Sequence, residues 1–341
     1  MKMFNYNWEL KDLDTVDKKN IKVFSCFSCG GGSSMGYKMT GFNVIGINEI
    51  DKQMVEVYNK NFKPKYVFEE RIQDFKKRKD IPKELFNLDI LDGSPPCSTF
   101  SISGKREQGW GKNKKFREGQ ATQVLSDLFF DYIELTKKLQ PKVVIAENVK
   151  GMLFKNAKGY TKQILREFDE AGYRVQLFLL NAASMGVPQK RERIFFIGIR
   201  KDIEKPKIKL QFDEKPILFR DIVQKGINDR KLSFKTMELW KNKKYKDKDL
   251  GEAYKRLSNR TGFFNCRLLR ENKVCNTITA ADQLVLEKEP RHLNVKELIL
   301  AGSFPQDYNF LKIKPQYLIG MSVPPIMINR IAEQVYKQWL I

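Results

Sequence analysis

The residues with chemistry to offer sit in four short stretches. GSPPCSTFS (93–101) holds one cysteine, Cys97, behind two prolines. Proline fixes φ, so the thiol leaves the backbone in a set direction. The loop is rich in Ser and Thr and precedes a basic segment, and nearby cations lower a thiol pKa. That setting suits a nucleophile better than a packing residue. AENVKGM (146–152) ends an apolar run in Glu147 and Asn148. A carboxylate there serves either an ion pair or a proton transfer. PQKRERIFFIG (188–198) carries Arg191 and Arg193 two residues apart. On a starting strand they are expected to point the same way and to grip an anion or a base edge. FSCGGGSSMG (27–36) is a Gly-rich turn whose amides can approach a ligand closely. It does not fit GxGxxG, because Met35 takes the third glycine's place, so a compact non-phosphate ligand is expected. Glu49 follows Gly30 by 19 residues, a spacing that lets a carboxylate take both hydroxyls of a ribose. Turn and carboxylate together point to a nucleoside-bearing cofactor.

These pieces need a scaffold that brings them together. IKVFSCF (21–27), NVIGIN (43–48), the run ending before Cys97, KVVIAEN (142–148), YRVQLFLL and RIFFIGI (193–199) read as strands. DKQMVEVYNKNF, QVLSDLFFDYIELTKKL (123–139) and YTKQILREFDEAG read as helices between them. The alternation implies a doubly wound, mostly parallel α/β sheet, which binds ligands at the carboxyl ends of its strands. Near residue 200 the pattern breaks into Lys-rich, turn-rich sequence. The chain therefore reads as an N-terminal extension (1–20), a first domain (21–199), a smaller domain (200–275) and a returning segment (276–341). In that last part VKELILAG and PPIMINRIAEQVYKQWL (324–340) read as helices, the latter packing back on the first domain.

Composition narrows the partners. The 341 residues carry a formal charge of +22, from 63 Lys and Arg against 41 Asp and Glu. Such an excess suits a polyanion, most simply nucleic acid. It is concentrated: residues 200–260 hold 19 basic and 10 acidic side chains. GKREQGWGKNKKFR (104–117) holds six basic and one acidic, with Trp110 and Phe116 among them. Five cysteines, an odd number, argue against a disulfide framework, and one CxxC with a single histidine makes zinc hard to assemble. The sequence shows neither a membrane span nor a signal peptide, so a cytoplasmic protein is expected.

Taken in order, FSCGGGSSMG, NEID, the PPC loop, ENV, QKRER, NTITA and GMSVPP resemble the motifs of the cytosine-5 DNA methyltransferases that use S-adenosylmethionine. The resemblance covers nearly the whole chain, and the combination of PPC, ENV and QxRxR carries it. The chain departs from the family pattern in four places. Ser25 replaces an Asp, Cys29 a Gly, Ser98 a Gln, and Met321 the Asn of a Gly-Asn-Ser. The resemblance implies a Rossmann-like methyl-transfer domain followed by a target-recognition domain.

It also assigns roles. Cys97 is the nucleophile, Glu147 the proton donor, Arg193 the contact to the base, and Arg191 its support. Phe27, Ser28, Cys29, Gly30, Gly31, Gly32, Glu49, Ile50, Asp74, Phe75, Pro96 and Ser322 would hold S-adenosylmethionine. Lys105, Arg106, Lys112 and Lys114 would meet DNA in a mobile lid. Lys243, Lys244, Tyr245 and Arg260 are candidates for the recognition domain. The implied setting is bacterial or phage DNA modification on double-stranded DNA, beside a cognate restriction endonuclease, by a monomer. Two alternatives stand beside it: a tRNA cytosine-5 methyltransferase and a non-catalytic DNA-binding module. Comparing methyl incorporation into DNA and tRNA separates the first, and tight DNA binding without methyl transfer would mark the second. Cys97→Ala is expected to abolish turnover while leaving DNA binding largely intact; unchanged methylation by that variant would rule the chemistry out.

Overall fold

Apolar residues in the first 200 positions alternate between two cores, and this alternation builds the sheet. The computed structural model describes residues 4–96, 128–154, 157–226, 230–281 and 283–341, plus the backbone of 113–114 and 123–124. Seven strands form one sheet: β1 (Lys22–Cys26), β2 (Asn43–Asn48), β3 (Tyr66–Phe68), β4 (Ile90–Gly93), β5 (Val143–Val149), β6 (Tyr173–Asn181) and β7 (Glu192–Arg200). Their order is β3-β2-β1-β4-β5-β7-β6. Every pairing is parallel except those of β7, which runs antiparallel to both neighbours. The ten residues between β6 and β7 are too few for a parallel crossover, so the pair closes as a hairpin.

Successive strand residues point to opposite faces. Val23, Ile90, Val143, Ile145 and Phe195 join one core, while Phe24, Leu91, Val144, Ala146 and Phe196 join the other. The first core is covered by α1 (Gly32–Met39) and α2 (Lys52–Phe62). The second is covered by α3 (Ile72–Phe75), α4 (Leu128–Leu139) and α5 (Ala157–Glu170). The α/β sheet expected from the alternation is therefore present. The helix expected over 123–139 is shorter: α4 starts at Leu128. Gln123 and Val124 pair instead with Lys114 and Asn113 in an antiparallel ribbon, and that pairing takes their backbone out of the helix.

The Lys-rich middle of the chain divides between two cores. Ile208, Phe219 and Ile222 belong to the large first core. A separate small core gathers Leu232, Leu239, Leu250, Ala253, Cys266, Leu268 and Val285. It is built from α6 (Phe234–Lys241), α7 (Leu250–Ser258) and a two-stranded pairing of β8 (Leu268–Leu269) with β9 (Val285–Leu286). The Trp240 indole N–H donates to the Leu286 carbonyl at 2.8 Å and ties α6 to β9. Among the described residues no helix is long and apolar enough to cross a membrane.

After β9 the chain returns to the large core through α8 (Val295–Ala301), α9 (Pro315–Met321) and α10 (Pro325–Val335). The expected last helix is present, with its final five residues, Tyr336–Leu340, wound as a π turn. It lies directly on α1. A Cβ at Gly36 would stand 2.5 Å from the Pro325 carbonyl oxygen and 2.8 Å from the Asn329 nitrogen. Only a residue without a side chain permits that approach. Gly36→Ala gains about 1 kcal/mol of helix propensity, but it forces two backbones apart at a cost of roughly 1–3 kcal/mol. The clash is with main chain, so the loss wins. A thermal melt should show a lower Tm for Gly36→Ala; an unchanged or higher Tm would contradict this packing.

Candidate active site

The carboxyl ends of β1, β2, β4 and β5 meet at one edge of the sheet. The turn after β1 bends sharply: Phe27, Cys29 and Gly31 have φ of 54°, 47° and 83°. Such angles suit glycine and cost other residues on the order of 1 kcal/mol. The three glycines accommodate close neighbours. A Cβ at Gly30 would meet Leu318 at 2.6 Å, one at Gly31 would meet Phe62 at 2.7 Å, and one at Gly32 would meet the Val323 carbonyl at 2.4 Å. The turn is thus pressed between α2 and the returning C-terminal segment.

Glu49 lies just past β2, and its two oxygens accept from the backbone N–H groups of Cys29 (2.8 Å) and Asp51 (2.9 Å). Burial pushes its pKa up, and these bonds pull it partly back. Asp51 caps α2 by accepting from the Gln53 N–H at 3.0 Å. A cavity opens here. Of the expected cofactor residues, Phe27, Cys29, Glu49, Ile50 and Pro96 line it. Asp51, Met54, Ser94, Tyr317 and Met321 complete the lining. No short motif marks Met54 or Tyr317, because helix packing brings them in. Ser28 is buried, and the buried Ser322 hydroxyl donates to the Leu318 carbonyl at 2.8 Å. Ser28, Gly30, Gly31, Gly32, Ser322, Asp74 and Phe75 are not among the lining residues; the glycines and serines are packed against protein neighbours. Asp74 is half-exposed and paired with Arg71 at 2.7 Å, while Phe75 is fully buried and stacked on Phe24. Burial and Glu49 push the Cys29 thiol up to about 12, which disfavours its thiolate form.

Cys97, Lys105, Arg106 and Lys112 lie outside the described residues, as do Trp110 and Phe116. For Lys114 only the backbone is described. The start of the Cys97 loop is held, however: the buried Asn148 amide donates to the Pro95 carbonyl at 2.9 Å. One residue before it, the Glu147 carboxylate pairs with the Arg193 Nε at 2.8 Å, both side chains largely buried. Burial lowers the Arg193 pKa, and Glu147 opposes that shift. Arg191 does not share this direction. It precedes β7, is buried, and donates to the carbonyls of Ile278 (2.9 Å) and Gly320 (3.0 Å). Its guanidinium therefore fastens the C-terminal segment beside the site.

A second buried carboxylate stands beneath these groups. Asp92 on β4 is the register partner of Ser25 on β1. It accepts from the Ser25 hydroxyl at 2.6 Å and from the Tyr37 hydroxyl at 3.0 Å. Burial raises its pKa to about 7, with Glu147 adding to the rise. The sequence signal was present: an Asp inside an apolar strand opposite a Ser.

In the small module Tyr245 is 79% exposed, with the Arg270 guanidinium over its ring at 5.4 Å. Lys243 lies on the Trp240 ring and is only partly exposed. Arg260 is exposed, and the Lys244 backbone N–H donates to Asp247 at 2.8 Å.

Comparison with known proteins adds to this geometry. The family model for C-5 cytosine-specific DNA methylases matches residues 21–337. The chain belongs to that family. Among curated relatives, the type II methyltransferase M.FnuDI of Fusobacterium nucleatum is 40% identical over 183 residues, covering 54% of this chain and 48% of that protein. M.NgoPII of Neisseria gonorrhoeae is 36% identical over 210 residues, 60% of this chain and 56% of the relative. The chain thus spans about half the length of these two relatives. M1.HphI of Haemophilus parahaemolyticus is 29% identical over 93% of this chain and 87% of its own. A prophage-encoded E. coli protein described as a DNA modification methyltransferase shares the fold, with a TM-score of 0.67 at 21% identity over 94% of this chain and 99% of that one.

Asp92 gives a test of pH. Its folded-state pKa of about 7 lies above the ordinary carboxyl value of 3.8. The folded chain holds this proton more tightly than the unfolded chain. Asp92 therefore favours folding below about pH 4, and that contribution falls as pH rises through about 7. Asp92→Asn removes the titration. Relative to wild type, the variant should gain stability from pH 5 to pH 8, by up to a few kcal/mol. Denaturant unfolding at several pH values measures the difference; a constant difference would contradict the buried-proton assignment.

Proposed function

We propose that this chain is a DNA (cytosine-5)-methyltransferase that uses S-adenosylmethionine and serves restriction–modification. The observation that carries the reading is the buried Glu147–Arg193 pair, next to the Asn148 brace on the Cys97 loop and beside a cavity floored by Glu49. The cavity suits a nucleoside-bearing ligand. Glu49 offers a fixed carboxylate, and Phe27, Tyr317 and Met321 offer apolar faces. Phe27 and Glu49 would hold the adenosine part. S-adenosylmethionine supplies an electrophilic methyl sulfonium when bound.

The residues divide the work as follows. Carbon 5 of cytosine is a weak nucleophile. The Cys97 thiolate adds to carbon 6, and the ring becomes an enamine able to attack through carbon 5. The Glu147 carboxyl shares a proton with ring N3 as charge develops there. Arg193, already held by Glu147, donates to the base O2 and keeps the carboxylate aimed. Arg191 holds the Gly320 and Ile278 carbonyls and so positions the wall of the site. Loss of the carbon-5 proton and expulsion of the thiolate restore the ring. None of this can occur inside a stacked duplex, so the base is flipped out at a cost of a few kcal/mol.

Double-stranded DNA is the proposed substrate, and the small module around α6 and α7 the proposed reader. Its own core makes it a substantial recognition element, which favours DNA over tRNA. Exposed Tyr245, with Lys244 and Arg260, can reach bases or phosphates; Lys105, Arg106, Lys112 and Lys114 are proposed to close over the flipped base. A monomer acting in the cytoplasm beside a restriction endonuclease completes the proposal.

Base-resolution mapping of 5-methylcytosine in plasmid from a methylation-deficient host is the test, with a Cys97→Ala control. Near-complete methylation of one short motif, absent in the control, is expected. No methylation by soluble protein would overturn the proposal. Glu147→Gln should reduce the single-turnover rate by at least about 100-fold; a near-normal rate would remove its role.

A further inference from the structure

The opposite end of the sheet carries a second cavity. It has a volume of about 580 Å³, against about 110 Å³ for the cavity at the cofactor turn. It lies at the amino ends of β1 and β2, where Asn20 and Asn43 stand, between the 3-10 turn Leu10–Thr15 and the ends of α1 and α2. Four lysines line it, Lys11, Lys18, Lys19 and Lys38, against one acid, Asp14. Three of them have partners. Lys11 pairs with Glu9, Lys18 donates to the Leu13 carbonyl at 2.6 Å, and Lys19 donates to the Thr40 carbonyl. Lys38 is partly buried and has neither a hydrogen bond nor an ion pair among the described residues.

A desolvated cation without a counter-charge is unfavourable. Burial and the like charge of Lys18 both push the Lys38 pKa down. The C-terminal dipole of α1 offsets this only in part. Four lysines against one acid leave the cavity's lining net positive, which suits an anion. Its volume falls within the roughly 300–1,000 Å³ typical of small-ligand sites, and its concave shape suits a compact anion better than the convex backbone of a duplex.

We propose that this cavity binds the phosphate group of a small molecule, a phosphomonoester or nucleoside phosphate, with Lys38 as the central contact and Lys18 and Lys19 beside it. Asn20 and Asn43 also line the cavity. The site is separated from the methyl-transfer chemistry by the length of the strands, and its occupancy does not depend on that chemistry.

Calorimetric titration of the full chain with inorganic pyrophosphate, at low salt, tests the proposal. One-site binding is expected. Lys38→Gln should weaken it by at least about tenfold, and Lys38→Arg should largely retain it. Lys201→Gln, which removes an exposed lysine paired with Asp169, should leave it unchanged, which separates a built site from general attraction to a basic protein. Lys38→Gln should keep wild-type methyl transfer, and that activity shows the variant is folded. No saturable binding, or equal losses in Lys38→Gln and Lys201→Gln, would overturn the proposal. So would binding of a short DNA duplex that depends on Lys38 when pyrophosphate does not bind, because the surface would then be a DNA contact.

Discussion

The seat of α10 on α1 is the constraint on which the site depends. The first helix begins in the glycine-rich turn after β1, and the last helix follows the segment that covers that turn. Gly32 and Gly36 bring the two backbones within van der Waals contact. Close packing of this kind tolerates little change in volume. Because the two segments meet there, residues far apart in the chain share one cavity: Cys29 and Glu49 on one side, Tyr317 and Met321 on the other. Arg191 adds a second fastening, since its buried guanidinium holds the Ile278 carbonyl, between β8 and β9, and the Gly320 carbonyl in α9.

Polar groups buried under the site give it direction. The Glu147–Arg193 pair fixes a carboxylate and a guanidinium relative to each other, and Asn148 ties the same strand end to the loop that leads to Cys97. Buried ion pairs of this kind contribute little net stability, because desolvation opposes the attraction. Their persistence at a strand end is better explained by the geometry they impose. The Ser25–Asp92–Tyr37 cluster is of another kind. Where the family pattern has an acid on β1, this chain has Ser25, and the carboxylate stands one strand over at Asp92, in register with it.

Much of the fold was legible because a doubly wound sheet writes itself as alternating short apolar runs and amphipathic helices. The antiparallel β7 was not read from the sequence, although its connection to β6 is too short for a crossover. The beginning of α4 was misread because apolar spacing alone does not show that Gln123 and Val124 find strand partners. The site was legible where a motif lies at a strand end, as with Glu49, Glu147 and Arg193. It was illegible where position depends on tertiary packing. Arg191 and Arg193 share a motif but face different partners, because only the second lies within the strand. Asp74 and Phe75 fit the pattern, yet one pairs with Arg71 and the other is sunk in the core. The lysine-lined cavity at the far end has no motif at all; it exists only because the N-terminal turn folds over the ends of α1 and α2.

The central claim is that the chain methylates cytosine through a covalent bond from Cys97. A duplex carrying 5-fluorocytosine at the target cytosine, incubated with the protein and S-adenosylmethionine, tests it directly, because fluorine at carbon 5 blocks the proton loss that would release the thiolate. Digestion and mass spectrometry should find the DNA attached to the peptide containing Cys97, with its methyl group transferred. Methylation of ordinary DNA without any trapped adduct, or an adduct on another cysteine, would contradict the account.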